Sequence, residues 1–203
     1  MAAGITGWVV FVYVMLSRRT SDKLAVLDAF GLVGAFEGRS TRIRDEYDAR
    51  LRKAHKHIDL MGFGLRALRE DHADNFAGWA SRTHVRILLI DPRPHARQRD
   101  LEENNTRGAI EEDVKQFARA TAALRKTNKQ FEVRLYTCLP SVNVFRIDDD
   151  LFWGPYLIRK QSRNSPTFLT VKGGHLYEVF AQHFEEIWSD DRLSRPVPDE
   201  WDK

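Results

Sequence analysis

The chain has 203 residues, 42% of them hydrophobic and 30% charged, a composition typical of one globular domain with a substantial core. Basic and acidic residues nearly balance, 32 against 29, so charge alone does not indicate a surface dedicated to nucleic acid or to acidic substrates. The single cysteine, Cys138, excludes an internal disulfide and a zinc site built from cysteines.

An uncharged apolar run, AAGITGWVVFVYVML, occupies residues 2–16 and is followed at once by Arg18 and Arg19. Because the basic residues come after the run, the positive-inside rule predicts a single-pass anchor in residues 1–19, which holds one cytoplasmic domain, residues 20–203, at the cell membrane. As a helix the run reaches only about 22 Å, against about 30 Å of hydrocarbon. A buried first element of a soluble fold and a cleaved signal peptide are the alternatives.

Helical and strand patterns alternate after this run. A short helix is predicted in DKLAVLDAF, followed by a strand over Leu32–Phe36 and by a helix in which Ile43, Tyr47, Leu51 and Ala54 recur at helical spacing. HIDLMGFG predicts a strand that ends in glycines, and DHADNFAGWASR predicts a weaker helix. HVRILLIDP is the strongest strand, and its nearly continuous apolar run predicts that both of its faces are covered.

The second half of the chain predicts a long amphipathic helix and then a meander. The helix lies in RGAIEEDVKQFARATAALRKTNK, and the strand FEVRLYTCL follows it. PSVNVFRIDDDLFWGPY predicts two strands joined by an acidic turn at residues 148–150. A strand in SPTFLTVKGG, a closing helix in HLYEVFAQHFEEIW and a frayed tail, RPVPDEWDK, complete the chain. This order predicts an α/β fold built on a mixed sheet.

The order of elements, with phrases such as VRILLIDPR and IDDDLFWG, resembles one half-unit of the phospholipase D superfamily between Phe36 and Trp188. The chain is similar to the divergent domains of this superfamily that are attached to bacterial regulators and membrane proteins. The resemblance implies a phospholipase D-like mixed sheet flanked by helices on both faces, here preceded by an N-terminal hydrophobic helix.

The resemblance also directs attention to the superfamily motif H-x-K-x4-D, in which the histidine attacks phosphorus, the lysine binds phosphoryl oxygens and the aspartate supports the site. Laid on SVNVFRID, the motif places Ser141 at the histidine and Asn143 at the lysine, and only Asp148 matches. Serine has no evident base here, and asparagine carries no charge. Active members also combine two motifs, whereas this chain has one degenerate copy. We therefore predict no catalytic residue, and interpret Asp148 as structural, in a turn widened by Asp149 and Asp150.

A small anionic ligand remains compatible with residues elsewhere, and six are candidates for binding it: Asp91, Arg93, Arg146, Asp148, Lys172 and His175. Asp91 and Arg93 follow the VRILLI strand, at the carboxyl end where ligands gather in α/β sheets. VKGGH supplies Lys172 and His175 beside glycines that allow close approach of the backbone, at the start of a helix. Each residue also has a structural alternative. Asp91 and Arg93 would lie in a proline-rich turn, Arg146 would form a salt bridge, and Lys172 and His175 would be solvated surface side chains.

Cofactors and metals are not predicted, because the sequence contains neither H-E-x-x-H nor a cysteine cluster. Nucleic acid is not favoured as a partner, since basic residues are spread along the chain without interleaved aromatic residues. Two classes of function remain. One is a membrane-tethered, non-catalytic module that senses a phosphate-bearing ligand or docks a protein partner. The other is a phosphodiesterase, phospholipase or nuclease that uses non-standard residues. The oligomeric state stays open, a homodimer included.

Overall fold

A computed structural model of the protein describes residues 2–38, 41–139 and 141–202. In these segments a single mixed sheet contains eight strands: Leu32–Phe36 (β1), His57–Gly62 (β2), His84–Ile90 (β3), Phe131–Tyr136 (β4), Val142–Ile147 (β5), Asp150–Pro155 (β6), Thr167–Val171 (β7) and Ser194–Pro196 (β8). Their order across the sheet is β1-β7-β6-β5-β2-β3-β4-β8. The predicted mixed α/β sheet is therefore confirmed.

The α-helices of the described segments precede, connect and follow these strands. Their bounds are Ala2–Phe30 (α1), Thr41–Leu51 (α2), Arg66–His72 (α3), Phe76–Ala80 (α4), Arg97–Glu102 (α5), Ala109–Thr127 (α6) and His175–Ser189 (α7). Short 3-10 turns lie at Ala73–Asn75, Ser162–Asn164 and Asp199–Asp202, and a π-helical turn spans Pro92–Ala96.

Three parallel strands give the sheet one edge at which several chain segments end together. β2 pairs in parallel with β3, and β3 with β4, so their carboxyl ends share that edge. β5 runs antiparallel to β2, which brings the beginning of β5 to the end of β2. We call this the carboxyl edge of the sheet, and the end where β2 begins the amino edge.

Side-chain alternation along the strands sends different residues to the two faces of the sheet. On one face, Arg146 of β5 donates a hydrogen bond to Glu185 of α7. On the other face, the ring of Phe145 lies 5.2 Å from Tyr47 of α2. Helices therefore cover both faces, and the most deeply buried side chains of β3, such as Leu88, lie between them.

Two segments between strands are more structured than the sequence predicted. DHADNFAGWASR is not one helix: α3 ends at His72, a 3-10 turn follows, and α4 begins at Phe76, whose ring packs on Phe117 and Phe131. The DPRPH segment, read as a loop turn, forms the π-helical turn that leads into α5. The sequence did not predict α5 because its buried residues, Arg99 and Asp100, are charged.

The C-terminal tail is packed, which corrects the prediction that it is frayed. β8 adds an antiparallel edge strand to β4 over three residues. Beyond it, Asp202 forms an ion pair with Arg125 and another, at 2.7 Å, with Lys126 at the end of α6. These contacts with α6 hold the tail, and such pairings with distant residues leave no local pattern in the sequence.

The acidic hairpin has a tighter turn than the sequence indicated. Ile147 pairs with Asp150, so Asp150 belongs to β6 and only Asp148 and Asp149 form the turn. Asp148 adopts a φ of 52°, in the left-handed region that aspartate tolerates better than most residues. The proposed widening of the turn by Asp150 is therefore wrong.

The first helix contacts the rest of the described domain at its C-terminal end. The ring of Phe30 meets His175 edge-on at 5.7 Å, and the backbone of Gly31 lies against Gly174. Among the described residues, no helix combines the length and the apolar character that a membrane crossing requires. Met1 lies outside the described residues, and the anchor in residues 1–19 stays a prediction.

Candidate functional site

The residues predicted to bind an anion occupy different parts of the sheet. Asp91 lies at the carboxyl edge, where its carboxylate accepts hydrogen bonds from Arg195 Nε at 2.7 Å and from Arg93 Nη2 at 2.9 Å. Burial of Asp91 opposes its ionisation, but the bonds from Arg93 and Arg195 outweigh that effect and lower its pKa to about 2. Asp91 is thus a buried anion held by two arginines.

Arg146 lies in the middle of the sheet, in a buried ionic cluster. Its guanidinium binds Asp59, which is fully buried on β2, and Glu185 at 2.6 Å. Arg86 of β3 bridges the same two carboxylates from the other side. Hydrogen bonds from Arg86 and Arg146 lower the pKa of Glu185 to about 2, against the opposing effect of burial. The salt bridge considered as the alternative for Arg146 is what the structure contains.

Asp148, Lys172 and His175 lie at the amino edge. The Asp148 carboxylate accepts hydrogen bonds from backbone N–H groups just before β2 and at its first residue, among them that of Lys56 at 2.8 Å. Lys172 Nζ lies 3.7 Å from the Asp149 carboxylate. A Cβ atom added at Gly174 would lie 2.2 Å from the Gly31 Cα atom. This glycine therefore makes room for the turn after α1, whereas the sequence had suggested that it lets a ligand approach the backbone.

The distance between the two edges separates the six candidates. The Ile90 N–H donates a hydrogen bond to the Phe63 carbonyl, just beyond the end of β2, and Asp91 follows Ile90. The Asp148 N–H donates to the carbonyl of His57, where β2 begins. At about 3.3 Å per residue this offset is about 23 Å. Arg146 lies between the two groups and is engaged by its own partners. The structure therefore does not bring the six residues together around one ligand.

A pocket of about 300 Å³ opens at the carboxyl edge, on the face of the sheet that carries α2. β2 contributes Gly62, and the beginning of β5 contributes Asn143. Tyr156, just after β6, and Tyr47 of α2 add aromatic surface, while Gln161 belongs to the loop between β6 and β7. Because part of the lining lies in loops, changes in those loops can vary the lining without disturbing the core.

Asn143, which the sequence comparison with H-x-K-x4-D places opposite the lysine, lines this pocket. Its side-chain amide has no hydrogen-bond partner within the described part of the chain, so both its donor and its acceptor are available. Ser141, at the histidine position, is exposed and is not among the lining residues. Within residues 2–38, 41–139 and 141–202, no base binds the Ser141 hydroxyl. The Asn143 amide is therefore a neutral group that can both donate and accept hydrogen bonds in the pocket.

A buried polar network holds the loop that borders the pocket. Glu103, 7% exposed, accepts hydrogen bonds from Arg99 Nη2 at 2.9 Å and from Asn105 Nδ2 at 3.2 Å. Asn105 Oδ1 in turn accepts from Gln161 Nε2 at 3.0 Å. The Arg99 guanidinium stacks over the Tyr156 ring, 5.1 Å from its centroid. This network links α5 to the loop after β6 and includes four of the lining side chains: Glu103, Asn105, Tyr156 and Gln161.

The charges of the pocket favour a ligand of low net charge. Among the described residues, four carboxylates and two guanidiniums line it: Glu70, Asp71, Glu103, Asp113, Arg66 and Arg163. Arg66 binds Asp113 at 2.8 Å, and Glu103 is neutralised by Arg99. Burial raises the pKa of Tyr156 well above its ordinary value and keeps its phenol neutral. Arg163 is then the lining cation without a partner in the described part.

Sequence reasoning identified Asn143 as a motif position but not as a binding residue, and it missed the rest of the lining. Asn105 and Gln161 lie in the irregular stretches EENN and RKQSRN, which carry no periodic signal. Their amides follow elements that end at the carboxyl edge, where α/β sheets bind ligands. That rule, applied to every polar loop, is the signal that could have identified them.

No family model matches the sequence, and no curated protein matches it. Solved structures with a similar fold do exist. TrmBL2, an archaeal chromatin protein described with a novel mode of DNA binding, matches with a TM-score of 0.53 at 16% identity, over 95% of this chain and 68% of that chain.

Two further structures come from bacteria. Phosphatidylserine synthase of Haemophilus influenzae Rd KW20 matches with a TM-score of 0.53 at 11% identity, over 80% of this chain and 39% of that chain. NucT from Helicobacter pylori matches with a TM-score of 0.47 at 11% identity, over 81% of this chain and 98% of that one. Both proteins belong to the phospholipase D superfamily. The likeness to phosphatidylserine synthase supports a divergent phospholipase D-like fold, and identities this low concern the fold alone.

Proposed function

We propose that the chain is a non-catalytic phospholipase D-like module that binds a small polar ligand in the pocket at the carboxyl edge. Asn143 carries this proposal. Its unpaired amide lies in the pocket at the position where the superfamily motif has a lysine, and the nucleophile position, Ser141, lies outside the lining. On this proposal the pocket lies where the superfamily has its active site, and the neutral amide of Asn143 replaces a reactive group there with a hydrogen-bond donor and acceptor.

The charges of the lining define the class of ligand that we propose. A phosphate with two negative charges would meet Arg163 alone as an unpaired cation, in a lining that also contains the Glu70 carboxylate. A neutral or singly charged ligand with several hydroxyl or amide groups would instead satisfy Asn143 and pack on aromatic surface. The phosphate-bearing ligand expected from the sequence is therefore the less favoured case.

Binding measurements with matched variants test the proposal. Thermal-shift and calorimetric screens would compare neutral metabolites (polyols, nucleosides, amides) with inorganic phosphate and nucleoside monophosphates. Loss of one buried hydrogen bond costs about 1–1.5 kcal/mol, so Asn143→Ala should weaken binding about tenfold. Asn164→Ala, at an exposed position outside the lining, is the control. Equal binding by both variants would contradict the proposal.

The alternative is a phosphodiesterase, phospholipase or nuclease that acts through non-standard residues. The similar fold of phosphatidylserine synthase is the observation that favours it. An enzyme of this kind would turn over a phosphodiester, whereas a binding module would not. Docking of a protein partner and tethering to a membrane through residues 1–19 are compatible with either function, and both remain proposals based on the sequence.

A further inference from the structure

Three aliphatic side chains protrude into solvent at the carboxyl edge. They are Leu139, Leu101 and Ile158, with exposed fractions of 78%, 72% and 64%, and outside α1 they are the most exposed large apolar residues described. Leu101 lies in α5, Leu139 follows β4, and Ile158 follows β6. Three separate segments each place a long aliphatic side chain at the carboxyl edge, so the exposed apolar surface there does not come from one loop alone.

Hydrogen bonds between the loops bring these segments together. The Arg159 N–H binds the Glu102 carbonyl at 2.7 Å, which places Ile158 beside the end of α5 and Leu101. The Tyr156 N–H binds the Ser141 carbonyl at 3.1 Å, and Leu139 and Ile158 each lie two residues from that bond. The three side chains therefore form one protruding surface, which we call the loop-tip surface.

Unpaired cations border the loop-tip surface. Four exposed basic residues, in α5 and in the loops after α5 and β6, have no ion pair or side-chain hydrogen bond within the described residues: Arg97, Arg107, Arg159 and Lys160. The Glu102 carboxylate, at the end of α5, is half-buried and already accepts bonds from Gln98 at 3.0 Å and Arg99 at 3.2 Å. The chain as a whole carries a net charge of only +3, so this concentration of free cations is local.

We propose that the loop-tip surface docks on an anionic lipid surface. Aliphatic tips enter the boundary between headgroups and acyl chains, while the surrounding lysine and arginine side chains meet the acidic headgroups. A nucleic acid would use the same cations but leave Leu139 and Ile158 without a role, since single strands stack on aromatic rings. The combination of aliphatic tips and unpaired cations therefore fits lipid better than nucleic acid.

This surface is distinct from the ligand pocket and adjoins it. Ile158, Arg159 and Lys160 lie in the loop that continues into Gln161 and Arg163 of the pocket lining. Docking would bring the pocket opening close to the membrane surface. The proposal does not depend on the ligand of the pocket, because its residues lie outside the hydrogen bonds assigned to that ligand.

Vesicle sedimentation with the full chain tests the proposal. Binding would be measured on phosphatidylcholine vesicles with and without phosphatidylglycerol, and retention on phosphatidylcholine alone, which α1 could cause, would be subtracted for every variant. We expect that the binding that remains after this subtraction requires phosphatidylglycerol and is reversed by salt. Since each basic residue near the surface accounts for about fivefold in affinity, the double change Arg159→Ala/Lys160→Ala should reduce partitioning about tenfold or more.

Matched double variants separate this surface from unspecific attraction. Leu139→Ser/Ile158→Ser should also reduce partitioning about tenfold, whereas Val33→Ser/Val179→Ser changes exposed apolar residues elsewhere and should leave it unchanged. Arg52→Ala/Lys53→Ala removes an exposed basic pair ahead of β2 and should have little effect. No increase in binding on adding phosphatidylglycerol, after retention on phosphatidylcholine is subtracted, or full binding by the Leu139/Ile158 variant, would overturn the proposal. The proposal would also be overturned if duplex DNA bound in a salt-sensitive way, competed with vesicles, and bound equally well to the Leu139→Ser/Ile158→Ser variant.

Discussion

The Asp148 carboxylate accepts the backbone N–H of Lys56 at 2.8 Å, and this bond joins the β5–β6 turn to the segment that enters β2. The same carboxylate accepts the N–H groups of His55 and His57, each at 3.1 Å. The one residue of SVNVFRID that matches the motif in sequence therefore organises the amino edge, five residues along the chain from Asn143 of the pocket lining, or about 17 Å by strand geometry. These contacts support a structural role for Asp148.

Removing this carboxylate should therefore affect stability. Asp148→Ala leaves three backbone donors without an acceptor and should lower the free energy of unfolding by about 2 kcal/mol. Asp149→Ala is the control, because its carboxylate is 47% exposed and forms surface ion pairs with Lys56 and Lys172, which water screens and which contribute little to stability. Urea unfolding would measure both. Equal destabilisation by the two changes would argue against the structural role of Asp148.

Asp91 should make stability depend on acidic pH. Its pKa is lowered from 3.8 to about 2 by the bonds from Arg93 and Arg195, which outweigh the effect of burial. Because the folded-state pKa is the lower one, the stabilisation is complete above about pH 5 and is lost as the pH falls through 2. It amounts to about 2 kcal/mol. Asp91→Asn should remove that amount at neutral pH and flatten the stability profile between about pH 5 and 2.

The control for this pH dependence is Asp191→Asn, which changes a carboxylate that is 91% exposed. Its unfolding curves at each pH should overlay those of the unchanged protein. If Asp91→Asn keeps the full acid dependence, the carboxylates responsible lie elsewhere, with Glu185 as the next candidate because its pKa is also about 2.

Glu103 should control the order of the loop beside the pocket. Glu103→Gln removes one of the two carboxylates that pair with buried Arg99, Glu102 being the other, and weakening a hydrogen bond between charged groups in this way costs about 1–3 kcal/mol. Amide hydrogen exchange in residues 157–166 should become faster, because Asn105 and Gln161 lose the anchor of their network. Glu102→Gln, at a side chain 29% exposed, is the matched control and should change neither property strongly. Unchanged exchange in the Glu103 variant would show that other contacts hold the loop.

Phosphodiester hydrolysis should be absent. Ser141 has no base in the described part of the chain, and Asn143 cannot supply the positive charge that stabilises a phosphoryl transition state. Incubation with bis(4-nitrophenyl) phosphate and with a fluorescent phospholipid should give no product above background. Turnover that disappears in Ser141→Ala would contradict this expectation and revive the enzymatic alternative.

The sequence predicted those parts of the fold that carry local signals. Apolar runs identify β2 and β3, and the acidic turn identifies the β5–β6 hairpin. The partners of Asp91 and Arg146 were beyond such signals, because Arg195 is 104 positions and Glu185 is 39 positions away in the chain. The pocket was missed for the same reason: its side chains converge from irregular loops whose spatial proximity depends on the register of the sheet.

Membrane attachment through the N-terminus is the last expectation that can be tested directly. Residues 2–16 carry no charge and Arg18 follows them closely, so full-length protein should sediment with membranes and resist extraction by salt or alkali. A chain beginning at Thr20 should be soluble and keep its fold, because the described contacts of the first helix with the domain lie near Phe30. The short run can be accommodated by thinning of the bilayer at a fraction of a kcal/mol per Å. Full-length protein that is monomeric without detergent, or a chain from Thr20 that unfolds, would instead assign the segment to the soluble fold.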